Sequence, residues 1–85
     1  MAKEWTKVEW NDELSRIASD AANYMMEKKD LTGYSKLKID AIQNEYIRTA
    51  KKKLKEKYQF DKLKDTDKDA VSRLKGEDAA KFLGL

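Results

Sequence analysis

The chain has 85 residues, 41% of them charged and 40% hydrophobic, and its 19 Lys and Arg against 16 Asp and Glu leave a formal charge of +3. That size supports one small domain, residues 1–85, with a compact core beneath a heavily charged surface. No His and no Cys are present, which excludes imidazole acid–base chemistry, thiol nucleophiles, disulfides and zinc or haem held by those residues.

Three glycines and no proline leave no glycine-rich phosphate loop and few interruptions to helix. The opening stretch, MAKEWTKVEW, carries Lys3, Glu4, Lys7 and Glu9 and has no apolar run of the kind a signal peptide needs. With no apolar run long enough to span a bilayer, the expected location is cytoplasmic.

The first helix is predicted over about residues 6–29. Thr6 and Glu9 have capping-box spacing, and Trp5 and Trp10 flank them at the positions of a hydrophobic staple. In that arrangement Thr6 accepts from the amide of Glu9, and the Glu9 carboxylate accepts from the amide of Thr6. Trp10, Leu14, Ile17, Ala18, Ala21, Tyr24 and Met25 then recur at steps of three and four as one apolar stripe. Lys28 and Lys29 suit the negative end of the helix dipole, and Gly33 supplies a break.

A second helix is predicted over about 35–58, with Ser35 at its start and a stripe of Ile39, Ile42, Tyr46, Ile47, Ala50, Leu54 and Tyr58. The short connection favours an antiparallel hairpin. Beyond Phe60 and Leu63, Thr66 with Asp67 and Asp69 reads as another helix start. Val71, Leu74, Ala79, Ala80, Phe82, Leu83 and Leu85 provide apolar residues, interrupted at Gly76. The expected fold is all-α: two long antiparallel helices with a shorter C-terminal helical segment, about 66–83, packed across them. Two helices alone would leave one side of each stripe wet, so a third layer is physically required.

Charge is concentrated in the middle of the chain. Residues 35–60 carry eight basic and three acidic side chains, most of the excess lying between Arg48 and Lys57. At 100° per residue Arg48, Lys51, Lys52 and Lys55 cluster opposite Ala50 and Leu54. Such a row suits a phosphate backbone. It better suits a solvated helix face, with Lys53 and Lys57 extending their stems over apolar surface at the stripe's edge. The scarcity of arginine and the lack of an aromatic on this face argue against base reading or stacking.

Ser15, Ser19, Ala22 and Met26 form a second stripe on the first helix. Small residues at that spacing permit close helix approach, so they are a candidate contact for another protein or a second copy, or else an ordinary helix surface. Asp65, Asp67 and Asp69 resemble the first ligands of a calcium loop, but Ala70 and Gly76 stand where that loop needs Gly and Glu. No metal or cofactor is therefore expected. None of the acids falls inside an apolar run that would raise its pKa, so catalysis is not expected. The function these residues favour is a small interaction module (an adaptor, regulator or self-associating accessory protein), and the alternative is a nucleic-acid binder acting through the basic face.

Overall fold

The predicted caps Thr6 and Ser35 both start helices in the structure, a computed structural model that describes residues 3–84. Helix α1 spans Lys7–Lys28, α2 Lys36–Lys57, α3 Asp65–Ser72 and α4 Gly76–Leu83, with a single 3₁₀ turn at Phe60–Lys62. The fold is all-α, two long antiparallel helices with the C-terminal helices laid across them. Among the described residues no helix is long and apolar enough to cross a membrane.

Thr6 caps α1 by accepting from the amide of Glu9 at 3.2 Å. The return bond differs from the box expected: the Thr6 hydroxyl donates to Glu9 Oε1 at 3.0 Å, and Lys3 pairs with the other carboxylate oxygen. Trp5 and Trp10 form the staple edge to face, 5.3 Å apart at 78°. Gly33, at φ +84°, lets the chain turn between α1 and α2, where a side chain would be strained. Ser35 caps α2 by accepting from the amide of Lys38.

The C-terminal segment is two eight-residue helices with a break at residues 73–75. Thr66 does not cap α3. Lys64 occupies that position with no side-chain bond, and Asp65 and Asp67 fill the first turn, where the helix dipole favours anions. Gly76 is the first residue of α4, and its role is close approach. A Cβ there would collide with the Asp20 carbonyl oxygen and lie 2.8 Å from its carbonyl carbon. Glycine lets α4 rest directly on the backbone of α1.

The core is Trp10, Leu14, Ile17, Ala18 and Ala21 of α1, Ala50 and Leu54 of α2, and Val71, Ala79, Ala80 and Leu83 of the C-terminal helices. Trp10 is completely buried and donates from Nε1 to the Tyr58 carbonyl at 2.8 Å, joining the start of α1 to the end of α2. Lys68 is also buried, yet satisfied: Nζ donates to the Leu63 carbonyl at 2.9 Å and lies 4.2 Å from the Phe60 ring centre. This ties the 3₁₀ turn to α3.

The third layer is short. Two helices of eight residues each cover one end of a hairpin whose arms have 22. The molecule measures 48 × 20 × 18 Å with a radius of gyration of 14.1 Å, where a compact chain of this length has about 12 Å.

Candidate interaction surfaces

Where the third layer ends, the apolar stripe of α2 comes open. Of its predicted inward residues only Ala50 and Leu54 are buried. Ile39, Ile42, Tyr46 and Ile47 are half-buried, and Leu37, on the outer side, is 82% exposed. Ile42, Tyr46 and Thr49 line a shallow groove along one flank of α2, bordered by Glu45. The groove continues past Thr49 toward Arg48, Lys52, Lys53 and Glu56. Just past the end of α1, Lys29 holds its ammonium 5.5 Å from the Tyr46 ring centre, and the contact with Tyr46 raises the lysine's pKa. The patch therefore stays cationic at its α1 edge.

The basic segment divides into two groups. Lys53 donates to the carbonyl of Leu83 at 2.9 Å, capping the C-terminal end of α4, and Lys57 sits 3.8 Å from the centre of the Phe82 ring, which stacks on Tyr58. Both belong to the fold. Arg48, Lys51, Lys52 and Lys55 are turned away from the α4 contact. Arg48 lies 3.8 Å from Glu45, both well exposed, and among the described residues Lys51, Lys52 and Lys55 enter no ion pair. They form a cationic face in which Glu45, beside Arg48, and Glu56, beside Lys52 in the groove, are the acidic neighbours, with Lys51 half-buried.

The stripe on α1 is partly consumed within the molecule. Ala22 is completely buried, so it offers nothing to a partner, and Ser15, Ser19 and Met26 are half-buried. The neighbour on this side is α2: Asn23, one step further round α1, accepts from Gln43 at 2.6 Å. The opposite side of α1 receives α4 at Asp20 and α3 at Arg16, which donates to the Ser72 carbonyl at 2.8 Å and pairs with Glu13 and Asp20. Helix α1 thus has neighbours on two sides, which widens its buried arc to include Ala22.

The acids are similarly occupied. Asp69 accepts from Trp5 Nε1 at 2.8 Å, and Asp65 lies 3.9 Å from the Lys68 ammonium. Among the described residues no three acidic side chains converge as a metal site. Hydrogen bonds hold several carboxylates below their ordinary pKa: Glu9 through Lys3 and Thr6, Asp30 through Thr32, Asp69 through Trp5, and Glu77 through Lys81. These four stay ionised at neutral pH and hold no proton to donate as a general acid.

The uncovered flank of α2 was not singled out by the sequence, where Ile42 and Tyr46 look like ordinary core positions. The signal available was length: a C-terminal segment of about 66–83 is shorter than either predicted arm, and the structure shortens its cover further to two helices of eight residues. No protein-family model, no curated protein and no solved structure matches this chain.

Proposed function

We propose that the chain is a small protein-interaction module whose docking surface is the open flank of α2. The observation that carries this reading is the half-buried row Ile42, Tyr46 and Thr49 beyond the reach of α4, continuous with a charged border. Apolar side chains arranged as a groove and rimmed by polar residues are the ordinary make-up of a protein contact. A helix seated there would supply the layer that the distal half of the hairpin lacks.

The test is elution of the chain from extracts of the cells that express it naturally. The expected result is a complex well above the 9.9 kDa of the chain, lost on Ile42→Glu and kept on Asp12→Lys, which lies on the exposed outer face of α1. Elution as the isolated chain, or an unchanged complex with Ile42→Glu, would overturn the reading.

A second reading rests on a separate observation, the exposed Lys52 and Lys55 and the half-buried Lys51, which enter no ion pair among the described residues. Together with Arg48 they favour contact with nucleic-acid phosphates, without base recognition. It requires affinity for a labelled oligonucleotide that falls steeply between about 50 and 200 mM salt and disappears when the three lysines become glutamates. Binding that survives the triple change would assign it elsewhere.

A further inference from the structure

We infer that the α2 flank receives an acidic amphipathic helix of another protein, its apolar face on Ile42 and Tyr46 and its carboxylates on the cations around them. This deepens the interaction reading and rests on it. The first observation is the seam. Ile42, Tyr46 and Thr49 stand at steps of four and three, so they form one narrow line along α2. A helix laid in such a groove meets it with apolar residues repeating at the same spacing.

The second observation is charge. Helix α2 carries eight basic and three acidic residues, an excess of +5 in a chain whose total is +3. Past Thr49 the groove is lined by Arg48, Lys52 and Lys53, together with Glu45 and Glu56. Arg48 lies 3.8 Å from Glu45, and Lys53 is held by the Leu83 carbonyl, which carries no net charge to offset it. At the other end Lys29 places its ammonium beside Tyr46. Lys38, one turn before Ile42, holds its own 4.6 Å from the Tyr34 ring centre. The seam is thus bracketed by five cations against two carboxylates.

A second copy of this chain would set that excess against itself. Nucleic-acid phosphates would match the cations but bring nothing apolar to cover Ile42 and Tyr46. An acidic amphipathic helix answers both features, with a neutral or basic residue opposite Glu45 and Asp or Glu toward the two ends.

Fluorescence anisotropy of labelled peptides with the purified full chain tests this. The probe is a helix of about five turns with leucines at every third and fourth position and glutamates flanking that stripe. It is compared with the same peptide carrying lysines for glutamates, and with a scrambled peptide of the glutamate composition. The expected result is that the glutamate helix binds at least about tenfold tighter than either, and weakens several-fold between about 50 and 200 mM salt. Arg48→Glu combined with Lys52→Glu should reverse the preference in favour of the lysine helix. Lys55→Glu, outside the groove, should change the affinity by less than about twofold. A reversal cannot arise from a general loss of stability, and the far-ultraviolet dichroism should stay that of the parent.

Equal affinity for the glutamate and lysine helices, or for the glutamate helix and its scramble, overturns the acidic partner. A duplex oligonucleotide that binds tighter than the glutamate helix, and equally well to the Ile42→Ser variant, overturns it in favour of phosphates. If the complex in cell extracts still depends on Ile42 when the peptides show no preference, the interaction reading stands with a partner of other chemistry. If that dependence is absent too, both fall.

Discussion

Trp10 Nε1 donates to the backbone carbonyl of Tyr58 at 2.8 Å from a completely buried ring, 48 positions apart in sequence. The bond closes the hairpin at the end where Trp5, Phe60 and the C-terminal helices also converge. Its donor belongs to the staple that starts α1, and its acceptor is the residue that ends α2. One side chain thereby sets the start of α1 against the end of α2. Trp10→Phe keeps an aromatic ring but strands that carbonyl and leaves a small void. The expected loss is about 2–4 kcal/mol of unfolding free energy, read as a lower urea midpoint with an unchanged slope.

Gly76→Ala is expected to destabilise the chain by roughly 1–3 kcal/mol, although alanine is ordinarily the better helix former. The added Cβ meets the backbone of Asp20, which cannot swing aside as a flexible side chain would. Thermal unfolding followed by dichroism at 222 nm checks this. A rise in Tm would mean that α4 does not rest on α1 in the way described.

Neighbouring lysines should behave differently. Lys53→Ala removes the donor to the Leu83 carbonyl at the end of α4 and should lose about 0.5–1.5 kcal/mol. Lys52→Ala, outward and without an ion pair, should stay within about 0.5 kcal/mol of the parent. Equal effects on Tm would dissolve the division of the basic segment into a structural and a free group.

Asp69 and Glu9 hold the N-terminal segment to α3 and to the start of α1, and both have pKa values lowered in the folded state, from ordinary values of 3.8 and 4.5, by Trp5 and by Lys3 and Thr6 respectively. A depressed folded pKa contributes stability that is present above the unfolded value and lost as pH falls through the folded one. The contribution of these two groups should thus be constant from pH 7 down to about 5 and fall away below about pH 4.5. Asp69→Asn should flatten part of that acid dependence. Urea midpoints at pH 7, 5 and 3 check it, and an identical pH dependence in parent and variant would rule Asp69 out as a contributor.

Local grammar in the sequence is legible where all the interacting residues are close together. Trp5, Thr6, Glu9 and Trp10 mark the start of α1 because cap and staple lie within six residues. The set Arg48, Lys51, Lys52 and Lys55, on the side away from α4, separates from Lys53 and Lys57 by helical angle alone, although Lys51 is half-buried. The rest depends on contacts between distant segments. Gly76 shows as an interruption, but its reason is the Asp20 backbone, 56 positions earlier. Periodicity places Ile42 and Tyr46 on an apolar stripe without showing that the covering helices stop short of them. Ala22 lies off the stripe expected from one neighbour and is buried because α1 has two.

The central claim, that the flank of α2 around Ile42 is where another protein docks, is tested most directly by a photo-crosslinking residue at position 42 in cells that express the chain naturally, compared with the same residue at position 12. The expected result is a strong adduct from position 42, its partner identified by mass spectrometry, and little or none from position 12. Adducts of equal yield from both positions, or none from position 42, would contradict it.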